Sequence, residues 1–460
     1  MIAEVGEVVG WLLARFAREL GLFAAIGLVI GGLDDLFVDL LWVGRTLWRR
    51  IAVYSRYPRA TVVSLTPPVA PGRIAIFVPA WAESAVIEQM LRTAVANIRH
   101  PDYLIYVGTY PNDPETAAAV RAVEDPRIRL VGGVRPGPTT KAECLNRVWQ
   151  AMLVDEKTSG TPVKAIVLHD AEDVVHPLEV TLYDNMIERF DLVQIPVVPL
   201  IGGETRRARM IAATYADEFA EAHGKMLMLR EAVGAAVPSA GVGCAIARAM
   251  MMRIADANGG EPFDAASLTE DYELGLRVRG MGGRGAFVSI PAGPDEPPVA
   301  VRAHFPETLK EAVRQKTRWI TGIALAGWDR LRWQGGFAER WMRLRDRRVP
   351  AAALILAAAY LSAVPVLICW LFGVPIDWPP AMIPLTWATT GLLGWRLGVR
   401  AALVWRIYGW REAALSVPRV FVANVIEMMA ATRALLAYVP GELPIWDKTR
   451  HRFPTDAACS

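Results

Sequence analysis

The sequence has 460 residues, 53% of them hydrophobic, with a mean hydropathy of +0.26. Fifty Lys and Arg stand against 47 Asp and Glu, a net charge of +3, which excludes the strongly basic face of a nucleic-acid binder. The four cysteines, Cys144, Cys244, Cys369 and Cys459, are far apart and exclude zinc or redox motifs of paired spacing.

The length accommodates about two to three units of ordinary domain size. The apolar excess sits at the two ends, so one unit belongs to a membrane and the middle is an ordinary soluble domain. No short apolar core followed by a small-residue cleavage site stands at the N-terminus, and no removable signal peptide is expected. Residues 20–43 form an apolar run of roughly the 20 residues that cross a bilayer. Asp34, Asp35 and Asp39 interrupt its second half. Carboxylates are costly in lipid, so they lie at an interface or face other helices; a re-entrant or amphipathic helix is the alternative. Arg45, Arg49, Arg50, Arg56 and Arg59 follow, and Arg340, Arg343, Arg345, Arg347 and Arg348 precede the next apolar run. Both clusters flank the soluble middle, which the positive-inside rule therefore puts in the cytoplasm.

Between the clusters, strand and helix patterns alternate. Residues 73–78 are a β-type run that stops at Pro79, and 83–99 carry helical spacing. Residues 103–108 are the next strand, and a helix starts near Pro114 with Asp113 as its cap. A third strand over 127–131, a Gly/Pro loop, a helix over 141–155 and an all-apolar strand over 165–168 complete the series. This alternation predicts a doubly wound α/β sheet, with its ligand at the carboxyl ends of the strands. Residues 79–83, Asn112-Asp113 and 169–173 all lie there. No GxGxxG or P-loop accompanies the first strand, which argues against a dinucleotide oxidoreductase or an NTPase.

Residues 351–372 and 381–397 are apolar and of spanning character, with 373–380 as a non-cytoplasmic turn and Arg400 and Arg406 returning the chain inside. Residues 415–439 are also apolar, but Pro418, Arg419, Asn424, Glu427 and Arg433 punctuate them. They are expected to form an interfacial amphipathic helix, with a true span as the alternative. The tail from Pro440 is polar. The chain thus divides at 1–60 (membrane helix and basic linker), 61–349 (cytoplasmic domain) and 350–460 (transmembrane and interfacial helices with a tail).

Three motifs carry candidate chemistry. Asp170-x-Glu172, reinforced by Asp173, offers hard oxygen ligands at a strand end, suited to Mg²⁺ or Mn²⁺ bridging a diphosphate. Alone, it favours a solvated acidic turn that caps the next helix. Thr269-Glu270-Asp271 alone is a helix N-cap. Gln315-x-x-Arg318-Trp319 alone is a packed helix face.

Together and in this order, the three motifs resemble the processive, membrane-integrated branch of glycosyltransferase family 2, which includes cellulose and hyaluronan synthases. Thr140-Lys141-Ala142-Glu143-Cys144-Leu145-Asn146 and Phe77-Val78-Pro79-Ala80-Trp81-Ala82-Glu83 are similar to that family's donor-binding stretches, and the resemblance covers about residues 70–325. Gly32-Leu33-Asp34-Asp35-Leu36-Phe37, His169 to Asp173 and Trp446-Asp447-Lys448-Thr449 are similar to a bacterial phage-adsorption protein B type within it. Three departures stand out: Glu172 replaces the second Asp of Asp-x-Asp, Ala82 replaces an Asn, and His304 stands where Glu is frequent.

The resemblance implies a nucleotide-sugar-binding domain of GT-A type inserted between transmembrane helices, in a bacterial inner membrane. It implies an inverting transfer with Asp271 as general base. Glu83 and Asp113 would hold the nucleoside and Lys141 the donor, while Asp170, Glu172 and Asp173 would hold Mg²⁺ or Mn²⁺. Glu270, Gln315, Arg318 and Trp319 would meet acceptor and diphosphate. The implied partners are a UDP-linked sugar, a polysaccharide or lipid-linked acceptor, membrane lipid and an outer-membrane export partner. The glycine loop Gly241-Val242-Gly243-Cys244 is expected either as a close approach to the acceptor or as a simple turn. Relatives of this type include chains with a C-terminal domain that binds cyclic di-GMP; no such domain and no PilZ-like arginine motif is expected in these 460 residues. A scaffold with vestigial catalysis is the reading from a different class.

Overall fold

The computed structural model describes residues 2–438 and 452–454; the stretch Trp446-Asp447-Lys448-Thr449 lies outside them. The chain opens with α1 (Ile2–Trp48), one uninterrupted 47-residue helix. The span expected over 20–43 is thus the central part of a rod roughly 70 Å long. Strands and helices then alternate through β1 (Arg73–Pro79), α2 (Ile87–Asn97), β2 (Tyr103–Thr109), α3 (Pro114–Arg121), β3 (Ile128–Gly132), α4 (Lys141–Ser159), β4 (Val163–Leu168) and α5 (Glu179–Met186). The second half is less regular: β5 (Leu192–Gln194), β6 (Val197–Leu200), α6 (Arg206–Glu221), α7 (Leu227–Ala232), β7 (Cys244–Ala247), α8 (Arg248–Ala257), α9 (Glu270–Gly280), β8 (Gly285–Phe287), β9 (Val301–His304), α10 (Leu309–Ile320), α11 (Gly327–Leu331) and α12 (Phe337–Arg347). Three long helices close it, α13 (Val349–Leu371), α14 (Met382–Tyr408) and α15 (Trp410–Ala437).

The main sheet has seven strands in the order β3-β2-β1-β4-β7-β5-β8. Strands β3, β2, β1 and β4 run parallel, whereas β7 is antiparallel to both β4 and β5. Alternate residues feed opposite faces: Ile74, Ile76 and Val78 enter one core, Ala75 and Phe77 the other. Helix covers both faces, so β1 is apolar almost throughout, as a buried parallel strand must be. The short pair β6–β9 lies apart from this sheet and carries His304 at its end.

Local departures have local causes. Asp113 caps α3 as expected, accepting from Thr116 N–H, with Pro114 in the first turn. Helix α2 starts at Ile87 rather than at 83, because 84–86 form a turn and the N-cap Val86 has the non-helical φ of −128; before that turn Ala82 sits at φ +53, a left-handed backbone. The family Asn at that position is a residue that tolerates this conformation better than alanine does.

In the membrane part, α1 packs against α13 and α14. A Cβ on Gly27 would come within 2.7 Å of Ile355, so the glycine permits the close crossing with α13. The three aspartates of α1 all find protein partners. Asp34 and Asp35 face Arg345 and Arg348, and Asp39 meets Lys225 Nζ at 2.5 Å and Trp395 Nε1 at 2.9 Å. Helices rather than lipid therefore receive them.

Among the described residues, three helices are long and apolar enough to cross a membrane: Glu4–Val53, Val349–Leu371 and Trp410–Ala437. This revises two expectations. The expected second C-terminal span lies in α14, which is not among the three, while the expected interfacial helix α15 is. Yet α15 also lies along the soluble domain. Arg419 pairs with Asp217 of α6 at 2.7 Å, Glu427 with Lys316 of α10 at 3.3 Å, and Tyr438 with Asp329 at 2.8 Å.

Candidate active site

Strand β4 ends at Leu168, and the turn after it is organised around a buried histidine. His169 Nδ1 contacts Asp173 Oδ2 at 2.9 Å, and Nε2 contacts Glu179 Oε1 at 2.8 Å. Burial alone would lower the imidazole pKa, but the Glu179 and Asp173 carboxylates outweigh it and push it up to about 10. The same Asp173 oxygen accepts the Asp170 N–H at 2.9 Å. Asp173 borders the cleft, and its Oδ2 also holds Asp170 in place.

Lys141 opens α4, behind the cap Thr140. Its Nζ lies 2.5 Å from Asp170 Oδ1. Burial would lower its pKa, but Asp170, Glu270 and Asp271 together hold it above its ordinary value. One ammonium is thus shared among carboxylates from β4 and α9.

Helix α9 begins at Glu270, the first residue of the second acidic motif. Thr269 occupies the N-cap position but makes no capping bond, contrary to expectation. Its buried Oγ1 has no hydrogen-bond partner among the described residues. Asp271 Oδ1 accepts the Tyr272 N–H at 2.7 Å. Gly241, at φ +81, packs on the Asp271 carboxylate so closely that any Cβ would collide with it. The glycine loop is therefore a close approach to Asp271. Burial raises the pKa of Asp271, against the pull of Lys141 and Arg318. Burial and the neighbouring Asp271 charge push Glu270 up to about 7.

Helix α10 sorts the Gln315–Trp319 motif by its periodicity. Gln315, Arg318 and Trp319 line the cleft, whereas Lys316 turns away to Glu218 at 2.6 Å and Thr317 to the α15 backbone. Trp319 is held edge-on to Tyr215, ring centres 6.0 Å apart. Lys141, Asp170, Glu172, Asp173, Glu270, Asp271, Gln315, Arg318 and Trp319 all border one cavity of ≈ 360 Å³. Glu83 and Asp113 are not part of that lining. They cluster at the carboxyl ends of β1 and β2, where Asp113 Oδ2 accepts the Ala82 N–H at 2.6 Å and Thr116 Oγ1 accepts the Glu83 N–H at 2.9 Å.

Residues 71–322 match the family described as Glycosyltransferase like family 2. The chain belongs to that family. It has a GT-A fold flanked by three candidate transmembrane helices. Bacteriophage adsorption protein B of Escherichia coli (strain K12) and Bacteriophage N4 adsorption protein B of Escherichia coli O157:H7 are each 37% identical to it over 484 residues. The alignment covers 97% of this chain but 64% of each relative, so the chain spans about two thirds of their length. Among solved structures, the mannosyltransferase PcManGT from Pyrobaculum calidifontis, in complex with GDP-Man and Mn²⁺, has a similar fold. Its TM-score is 0.53 at 17% identity, covering 95% of this chain and all of that one.

In this family member the cleft also contains residues outside the three motifs. Glu307, Glu311 and Arg452 line it, and Arg452 Nη1 lies 3.7 Å from Glu307 Oε2. Glu311 stands one helical turn before Gln315 and was legible from that spacing. Arg452 arrives from more than a hundred residues away and left no local signal. His304 Nδ1 and Gln315 Oε1 are buried and, among the described residues, lack hydrogen-bond partners, so polar atoms border the cleft ready for a ligand.

No group of three or more His, Cys, Asp or Glu is arranged to hold a metal among the described residues. The donor set still fits Mg²⁺ or Mn²⁺. Asp170 and Glu172 are hard oxygen donors on a wall rich in carboxylates, and such ions take one or two protein carboxylates with the remainder from phosphate and water.

Proposed function

We propose that the chain is an inverting glycosyltransferase of a bacterial inner membrane, with its catalytic domain in the cytoplasm. It moves a hexosyl or N-acetylhexosaminyl group from a nucleotide sugar, UDP-linked, onto a growing exopolysaccharide and helps to export it. The observation that carries this reading is the single cleft shared by Asp271, the Lys141–Asp170 pair and the Gln315/Arg318/Trp319 face of α10.

Asp271 takes the proton from an acceptor hydroxyl as that oxygen attacks the anomeric carbon and the bond to the nucleoside diphosphate breaks. Gly241 leaves the space in which the carboxylate stands. Arg318 and Lys141 receive the negative charge that develops on the leaving diphosphate. Trp319 offers a flat face to the acceptor sugar, and Glu270 sits beside the base at the acceptor end. Asp113 and Glu83 shape the turn that receives the nucleoside. Asp170 and Glu172 would hold Mg²⁺ or Mn²⁺, which would supply positive charge to the diphosphate; Mn²⁺ accompanies GDP-Man in the mannosyltransferase of similar fold. The names of the two relatives refer to phage adsorption, an event at the cell surface, and a product exported from the cytoplasmic cleft would reach that surface.

The test uses the full chain in membranes, supplied with labelled UDP- and GDP-sugars and Mg²⁺ or Mn²⁺. A ladder of chain-extended products, lost in EDTA, is expected. A single-sugar lipid product would refute the polymer reading and favour a lipid-linked acceptor, whereas no transfer from any donor would favour a scaffold with vestigial catalysis.

A further inference from the structure

Helices α6, α10 and α15 line a second, open cavity of ≈ 800 Å³. Its floor is apolar, made by Ala208 and Ile211 of α6, Leu309 and Val313 of α10 and Met429 of α15. Its rim is cationic. Arg207, Lys310 and Arg433 are exposed and have no ion-pair partner among the described residues. Glu307 is the one acid of the lining, and Arg452 already faces it at 3.7 Å. Helices α6 and α10 both begin here, behind their caps Thr205 and Thr308, which adds the positive ends of two helix dipoles.

The cavity is also continuous with a lipid-type surface. Phe421, Val425 and Met429 recur at four-residue spacing along α15 and are 60%, 40% and 46% exposed, so Met429 belongs at once to the cavity floor and to an outward apolar stripe. An occupant must therefore combine a phosphate-like anion with a hydrocarbon chain that runs on along that stripe.

We propose that this groove seats one anionic phospholipid of the bilayer. Its phosphate lies among Arg207, Lys310 and Arg433, and an acyl chain rests on the α6/α10/α15 floor. The exposed rim belongs at headgroup level, which favours a bulk lipid over an acceptor that must enter the catalytic cleft. The seat holds α10, and with it Gln315, Arg318 and Trp319, against the membrane surface. It does not depend on which acceptor the enzyme uses.

Native mass spectrometry of the full chain, released from phosphatidylcholine nanodiscs doped with phosphatidylglycerol, tests this. Wild type is expected to retain one phosphatidylglycerol in preference to phosphatidylcholine. The R207Q/K310Q/R433Q variant is expected to lose that preference by on the order of 100-fold. Ala208→Trp fills the floor with the charges intact and should produce the same loss. Equal retention of the two lipids by wild type overturns the proposal, and this comparison decides even where a variant misfolds. Unchanged retention in a folded triple variant overturns it as well. If undecaprenyl phosphate displaces phosphatidylglycerol at equal concentration and becomes glycosylated, the groove is an acceptor site and the bulk-lipid proposal fails.

Discussion

The turn after β4 and the start of α9 present carboxylates to the same cleft, but they are wired in opposite ways. Asp173 gives one oxygen to both His169 and the Asp170 N–H, so its charge is spent inside the protein. Asp271 accepts one backbone N–H from its neighbour and otherwise sits between Gly241 and the Lys141 field, while burial raises the carboxyl pKa at both sites. The first arrangement suits holding a shape, the second suits taking a proton. Hydrogen-bond saturation separates the two roles, and residue type does not.

Asp271→Asn against Asp173→Asn is the sharpest way to break this contrast. The former should lower labelled-sugar transfer by roughly 100- to 10,000-fold while leaving the melting temperature unchanged. The latter should lower the melting temperature first, because it weakens the contact to His169. Undiminished transfer by Asp271→Asn would sink the assignment of the base.

The next effect is on stability. His169→Ala leaves Asp173 and Glu179 as buried carboxylates without their shared partner, at a cost of about 3–5 kcal/mol in a denaturant titration. The histidine also carries a pH signature. Its folded pKa of about 10 lies above the ordinary 6.5, so its contribution is fully present below 6.5 and fades as pH rises toward 10. That decline should vanish in His169→Ala.

The smallest effect concerns the second acidic turn. Glu270, at about 7 against an ordinary 4.5, loses its proton in the unfolded chain before it does so in the folded one. Stability should therefore fall as pH rises from 4.5 to about 7, while transfer, which needs an ionised Asp271, should rise with pH by up to tenfold per unit. Glu270→Gln should flatten the stability slope and shift the rate profile to lower pH. A rate that stayed level across that range would contradict the desolvated base.

Features confined to one element were legible in the sequence. The cap at Asp113, the apolar strand β4 and the split of Gln315, Arg318 and Trp319 from Lys316 all follow from local dihedrals and helical period. The three- and four-residue strands β5, β6, β7, β8 and β9 were not, since so few residues carry no readable period and form only by pairing with distant partners. Helix α15 was ambiguous for a related reason. Arg419 and Glu427 break its apolar run in sequence, but in the fold each finds an opposite charge on α6 or α10.

By itself, the sequence determined that a strand-and-helix domain lies between apolar segments and that Asp170 to Asp173 stand at a strand end, because periodicity and strand-end position are local properties; that the three motifs act together came from the family resemblance. Only the tertiary structure decided that Asp173 steadies the turn while Asp271 faces Lys141, and that Arg452 reaches the cleft. Desolvation and charge pairing depend on atoms brought from far along the chain, and no local pattern records them.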